Sequence, residues 1–466
     1  MLFNSFAFLF VFLPLCLTGY FAFGRFAARW PAMFWLLAAS LGFYSYWNPW
    51  HTLVLIGSIG TNYGLGRLLI ATRSRPVLFL GVGANLALLG LYKYLGFLSS
   101  IGQDLGLGTP AVQIILPIGI SFYTFVQIAY LIDARNGRVN DMNFSRYGLF
   151  VSFFPHSLAG PMVHHTDLMP QFRKPDATRW QWDNVAQGIG FLCLGLGKKV
   201  IVADSFAVWA NAVFDSTAAL APLEAWAGAL SYTFQLYFDF SGYSDMAIGL
   251  GLFFNIRFPD NFNAPYRAAS ISDFWRRWHM TLSRWLREYL YIPLGGNRCS
   301  TPRMYLNLFL TMLIGGIWHG AGWTYVAWGA LHGCLLIINR LHNSYARPLP
   351  GWASRPLTFV AIVVGWVFFR ASSMERAVDI LWSAVNLGSW RHESLQALPG
   401  GLVTLAAIVA ALFTVNLAPT TKELVGNHTG KTGFAYLLAT IFLVCLWQMR
   451  DVALNLTKSQ FIYFQF

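Results

Sequence analysis

Long apolar runs, recurring from one end of the chain to the other, restrict its folds more than any other feature. A helix that crosses a bilayer needs about 20 mostly apolar residues. Runs of that order fall at 5–24, 31–49, 51–70, 77–98, 112–133, 186–213, 222–256, 304–318, 321–340, 356–370, 402–418 and 433–449. Some are short or interrupted, so the expectation is about eleven spans. Only 11% of residues are charged, against about 25% in a soluble domain, and the mean hydropathy is +0.50. These values exclude a disordered, fibrous or nucleic-acid-binding chain and argue against a soluble enzyme. The expected fold is an all-α integral membrane protein. We treat 1–466 as one polytopic domain, with N-terminal spans in 1–140, a core in 141–345 and C-terminal spans in 346–466.

The first run, Leu2 to Phe23, has no basic segment before it and no small-residue cleavage pattern after it. It reads as a retained transmembrane helix and not a signal peptide. The five cysteines, Cys16, Cys193, Cys299, Cys334 and Cys445, are scattered, with no C-x-x-C pair. A disulfide framework or structural zinc site is not expected.

Positive charge sets the orientation. The chain carries 32 Lys and Arg against 19 Asp and Glu. Arg25 and Arg29 follow the first run, Arg67, Arg73 and Arg75 the third, and Arg135, Arg138 and Arg146 the fifth. The intervening loops, Trp47 to His51 and Gly96 to Pro110, carry no Lys or Arg. By the positive-inside rule this alternation puts the N-terminus outside the cytoplasm, periplasmic in an inner-membrane protein.

Two stretches differ from plain spans. Segment 147–165 is apolar but holds Pro155 and Gly160-Pro161. Broken backbone at membrane depth must be buried in protein or line a cavity, so a re-entrant segment is expected, with an interfacial loop as the alternative. Ser270 to Leu294 begins with an S-x-x-D helix start. It then repeats Trp275, Trp278, His279, Leu282, Trp285, Leu286 and Tyr289 at helical spacing, with Arg276, Arg277, Arg284, Arg287 and Glu288 largely off that stripe. It reads as one amphipathic helix, too charged to span.

Ionisable groups inside apolar runs are the functional candidates. His319 lies in Ile314-Gly-Gly-Ile-Trp-His-Gly-Ala-Gly-Trp323, where glycines leave room for a neighbouring chain or substrate. Histidine is the common general base near neutral pH, while helix packing is the structural alternative. His279 points where the tryptophans of its helix point, a position that a core histidine also occupies. Asp239 and Asp245, in Tyr237-Phe-Asp-Phe-Ser-Gly-Tyr-Ser-Asp-Met246, suit either a proton relay or helix-to-helix hydrogen bonds. From Arg257 to Arg303, eight arginines stand against Asp260, Asp273 and Glu288. Such a patch suits the phosphates of an anionic cytoplasmic donor or anionic lipid head groups. Arg276 and Arg277 are the donor-phosphate candidates. His51, His342, His392 and His428 sit near span ends or in loops. His164, His165 and Asp167 match no zinc spacing, and no metal is expected. There is no G-x-S-x-G elbow, Walker A loop or dinucleotide fingerprint.

Specific motifs narrow the reading. Asn261-Phe-Asn-Ala-Pro-Tyr-Arg267, Ser272-Asp-Phe-Trp-Arg-Arg-Trp-His279 and Leu286-Arg-Glu-Tyr-Leu-Tyr-Ile-Pro-Leu-Gly-Gly-Asn-Arg298 resemble the membrane-bound O-acyltransferase family. The likeness is to its bacterial polysaccharide branch, which includes alginate- and cellulose-acetylation subunits. Leu116 to Tyr123, Gly197 to Val200, Tyr237 to Asp245, Ile317 to Gly320, Gly365 to Arg370 and Phe461 to Phe466 agree in the same order. The resemblance implies a ring of helices around a central funnel, with re-entrant helices at the cytoplasmic side. It implies that His319 and His279 form the catalytic pair near the narrow part, with Trp318 and Asn261 as further site candidates. It also implies no permanently bound cofactor. The co-substrate would be acetyl-CoA or an acyl-carrier thioester, and acetyl groups would cross the inner membrane to periplasmic acetyltransferase partners that modify an exported exopolysaccharide. The alternatives carried forward are a proton-coupled transporter or flippase using Asp239 and Asp245, and a D-alanyl, protein or lipid acyltransferase. One departure stands out. Val163-His164-His165-Thr-Asp167 follows Gly160-Pro161 where the branch leads us to expect a basic or polar run such as Arg-Tyr.

Overall fold

A computed structural model describes residues 1–26, 30–112, 114–386, 400–454 and 461–462, with side chains to 450 and at 461–462. Arg29, His392 and residues 463–466 of the C-terminal motif lie outside the described residues. Every regular element among the described residues is helical. Nearly all the apolar runs become helices close to their expected bounds. In chain order these are α1 (Ala7–Phe23), α2 (Trp30–Ser45), α3 (Pro49–Thr72), α4 (Arg75–Asp104), α5 (Ile120–Arg135), α6 (Phe144–Ser152), α7 (182–214) and α8 (Pro222–Phe253). Then follow α9 (Ile271–Trp275), α10 (Met280–Leu286), α11 (Thr301–His319), α12 (Trp323–Tyr345), α13 (Gly351–Arg370), α14 (Met374–Val385), α15 (Leu402–Leu417), α16 (Thr421–His428) and α17 (Thr432–Leu454). By length and apolarity, α3, α4, α13 and α17 each qualify as a membrane span among the described residues, and α15 with α16 makes a fifth if that bent pair is one span.

The contacts divide the chain into two compact units. The first holds residues 1–196, 243–259 and 425–456, and the second holds 197–242, 260–424 and 457–466.

In the first unit, polar side chains tie helices together. Asn62 on α3 and Asn85 on α4 exchange side-chain amide hydrogen bonds of 3.2 and 2.6 Å. The Gln127 amide on α5 donates to Ser58 Oγ on α3 at 2.8 Å, and the Tyr147 hydroxyl on α6 donates to Gln127 at 3.1 Å. Buried amides of this kind stay paired because lipid offers them no alternative partner. Run 112–133 is helical only from Ile120, a correction to its expected start. Pro117 lacks an amide donor, and Gly119 takes the left-handed conformation at φ +74°, so the chain turns before the helix begins.

Segment 147–165 is buried throughout, and its helix α6 stops at Ser152 before a run of turns. The backbone is broken and enclosed in protein, as its prolines require.

Candidate active site

The second unit carries both candidate histidines. The S-x-x-D start forms as expected: Ser270 caps α9 by accepting the Asp273 N–H at 3.1 Å. Yet Ser270–Leu294 is not one amphipathic helix. It breaks between Trp275 and Met280, and His279 sits there in the left-handed region at φ +43°. That conformation is uncommon for a residue with a Cβ and persists where surroundings dictate it. Asn261 does so here. Its backbone carbonyl accepts the Met280 N–H at 3.0 Å. Its Oδ1 accepts the Thr281 hydroxyl at 2.8 Å and lies 3.1 Å from His279 Nδ1. The Asn263 N–H donates to the Arg277 carbonyl at 2.9 Å. The expected sidedness survives the break, with Trp278, His279, Leu282, Trp285 and Leu286 buried and Arg276, Arg284 and Arg287 exposed.

Because Asn261 Oδ1 is an acceptor, His279 Nδ1 carries the proton and Nε2 carries the lone pair. Burial lowers the pKa of this imidazole and disfavours its charged form. Asn261→Ala removes the acceptor that sets this tautomer. The expected result is a fall in activity per folded molecule, of about 10–100-fold by analogy with removing the group that orients a metal-bound histidine. It is read as ester acetate per unit of membrane-inserted protein.

His319 is the last residue of α11 and is 4% exposed. Gly316, one turn earlier, packs so closely on α12 that a Cβ there would come within 2.4 Å of the Tyr325 carbonyl. Backbone thus meets backbone where α11 ends, and His319 is held among rings. Trp318 lies 4.9 Å away between centroids, Trp328 5.1 Å and Phe369 5.2 Å. The two histidines occupy one aromatic cluster: His279 abuts Phe240 at 4.7 Å. Its neighbour Trp278 meets Trp366 at 4.9 Å, and Trp366 reaches Trp328 at 6.0 Å.

Asp239 has structural partners. Its Oδ1 pairs with Lys199 Nζ at 2.6 Å, and both side chains are 2% exposed. Lys199 also pairs with Asp204 at 2.9 Å, where α7 widens into π-helical turns. Asp239 Oδ2 accepts the Ile462 N–H at 2.9 Å, and the Phe461 ring covers Lys199 Nζ at 4.7 Å. Asp245 belongs to the first unit and is buried there. The two donor-phosphate candidates separate. Arg277 is engaged by Asp273 at 2.9 Å. Arg276 borders a polar hollow of about 390 Å³ with Ser270, Ser272, Asn339, Arg340 and Asn343. A larger hollow of about 710 Å³ in the first unit, lined by Ile189, Leu192, Phe434 and Leu438, is almost wholly apolar and suits lipid better than chemistry.

The departure after Gly160-Pro161 also has a structural use. His164 and Asp167 form a reciprocal capping box. His165 lies 3.5 Å from Asp133 and 3.3 Å from the Arg138 carbonyl. Sequence reasoning missed His332, which is fully buried on α12 with its ring 4.8 Å from Trp328. The available signal was a histidine inside an apolar run, one helical turn after a tryptophan.

Residues 112–374, which hold His279, His319, Asn261, Arg276, Asp239 and the ring cluster around them, match the sequence profile of the membrane-bound O-acyltransferase family. The chain belongs to this family. It is an O-acyltransferase and a multi-pass membrane protein. It is 40% identical to a probable alginate O-acetylase of Pseudomonas putida, with 100% of each chain covered. It is 44% identical to a peptidoglycan O-acetyltransferase of Helicobacter pylori over 83% of this chain and 80% of that one. It is 29% identical to a teichoic acid D-alanyltransferase of Bacillus subtilis over 56% of this chain and 68% of that one.

Proposed function

We propose that this O-acyltransferase takes acetyl groups from a cytoplasmic thioester, either acetyl-CoA or an acylated carrier, and passes them across the inner membrane for O-acetylation of an exported exopolysaccharide such as alginate or cellulose. The observation that carries this reading is the end-to-end likeness to the probable alginate O-acetylase. In this reading about eleven spans surround a funnel, the N-terminus is periplasmic, and periplasmic acetyltransferase subunits complete the transfer.

The chemistry follows from the site. A thioester is already activated, so transfer needs a deprotonated acceptor in a dry, oriented setting. His319 takes the proton from an acceptor hydroxyl, the oxygen attacks the acetyl carbonyl, and the thiol leaves with a proton. General-base catalysis of this kind contributes about 10²–10⁴-fold. His279, its tautomer fixed by Asn261, orients the thioester or relays the proton. Trp318 supports the His319 ring. The Asp239–Lys199 pair favours this reading over a proton-coupled transporter, since a carboxylate held by a buried ammonium is poorly suited to shuttling protons. The D-alanyl reading retains the same site with a carrier-bound donor.

Arg276, on the polar hollow, is the residue offered to the donor's phosphate. Arg276→Ala should raise the KM for the acyl donor about 3–10-fold at unchanged kcat, since charge-assisted contacts are strong but this one is exposed. Arg277→Ala should leave KM alone and loosen the break it braces through Asp273. Initial rates against donor concentration separate the two. The function itself is tested on the exported glycan. Deleting the gene should remove base-labile acetate while glycan chain yield persists, and acetate at the wild-type level would overturn the reading.

A further inference from the structure

Four nitrogen-bearing rings meet beside His319. The fully buried His332 ring lies 4.8 Å from Trp328, 5.2 Å from Trp275 and 6.3 Å from Trp366 between centroids. Trp275 and Trp328 are themselves 5.8 Å apart. The indole nitrogens of Trp275, Trp328 and Trp366 and both ring nitrogens of His332 are buried without a hydrogen-bond partner among the described residues. An indole N–H can only donate, whereas a neutral imidazole brings one donor and one acceptor. Even if one indole bonds His332, the cluster is left with more donors than acceptors. Buried donors forgo the hydrogen bonds that water gave them, and such a group in a native protein calls for an explanation. What completes this cluster chemically is a group rich in acceptor oxygens.

We propose that Trp275, Trp328, Trp366 and His332 form a subsite for the carbonyl oxygens of the acyl donor, with His332 positioning the indoles. The proposal rests on the acyl-transfer reading above. A thioester donor on a pantetheine arm supplies such acceptors: the acyl carbonyl and the amide carbonyls of the arm. Trp328 touches both His332 and His319, so a carbonyl held there lies beside the histidine that activates the acceptor. Trp275 adjoins Arg276, which borders the polar hollow, so the arm's phosphate end and its carbonyls have neighbouring sites.

The test uses full-length protein in membrane vesicles, with radiolabelled acetyl-CoA and a radiolabelled acetyl-carrier protein as parallel donors. Trp275→Phe and Trp328→Phe keep an aromatic ring but remove the indole N–H together with the five-membered ring that carries it. Each is expected to raise the donor KM about 10-fold, beyond the loss of thermal stability in detergent that the smaller ring causes. His332→Gln retains a donor and an acceptor and should stay within about 3-fold of wild type, whereas His332→Leu should lose about 10-fold or more. KM unchanged in the Trp275→Phe/Trp328→Phe double variant, whatever its stability, would show that the rings hold at most a captive water, and the subsite would be rejected. His319→Ala runs beside them. Normal transfer in that variant removes the parent reading, whereas loss there with unaltered tryptophan variants removes this proposal alone.

Discussion

His319→Ala is expected to accumulate in the membrane at the wild-type level and to leave the exported glycan with little or no ester acetate. The magnitude follows from the chemistry. Removing a general base costs about 10²–10⁴-fold. Little structural loss is expected to obscure the result. The histidine ends α11, and the close α11–α12 approach at Gly316 does not involve its ring. Its ring contacts include Trp318, Trp328 and Phe369, and an alanine leaves a small cavity among rings of which Trp328 and Phe369 still meet. Glycan acetate is measured by alkaline release and normalised to the protein found in membranes. Wild-type acetate would remove His319 from the chemistry.

The second large effect is on stability. Lys199→Met strands the Asp239 carboxylate, 2% exposed, with the Ile462 N–H as its remaining partner among the described residues in place of an ammonium 2.6 Å away. Breaking one side of a buried pair typically costs about 3–5 kcal/mol, a large share of the roughly 5–15 kcal/mol that holds a protein folded. The single variant should therefore be depleted from membranes or melt much earlier in detergent. The double variant Lys199→Met/Asp239→Leu should recover most of that loss, because the deeply buried carboxylate is gone and Asp204, the other partner of Lys199, is 26% exposed. Asp239→Asn extends the test to mechanism. A proton relay would lose activity with the fold intact, whereas a structural pair predicts that activity falls only as far as folded protein does.

Much of the fold was legible because helix length and apolarity are local properties. Runs such as 51–70 and 356–370 become α3 and α13 within a few residues. The failures are places where a distant residue intervenes. The 270–294 segment has a helical stripe, and every local preference favours continuing the helix through His279. It breaks because Asn261, eighteen residues earlier, supplies hydrogen bonds that the helix would otherwise make. The start of α5 moved for a nearer reason, the Pro117 and Gly119 turn. The candidate site divides the same way. His279, His319 and Asn261 stand out by motif, but the ring cluster joining their surroundings does not, because Trp278, the Trp328–His332 pair of α12 and Trp366 of α13 converge from three separate stretches of chain. For Asp239 the sequence favours a strut over a relay without naming the partner. The decisive partner, Lys199, lies on α7, and the backbone amide that completes the site comes from near the C-terminus.

The central claim is that a thioester-borne acetyl group moves to a glycan hydroxyl in a step that depends on His319. Its most direct measurement follows radiolabelled acetyl from acetyl-CoA, or from an acetylated carrier protein, in sealed inverted membrane vesicles with the partner subunits and acceptor glycan inside. The prediction is that label reaches the glycan with wild-type protein, stays on the donor with His319→Ala, and moves equally well after the pH gradient is collapsed. Equal labelling in the two proteins, or transfer that needs the gradient and the Asp239 carboxyl instead of His319, would contradict it.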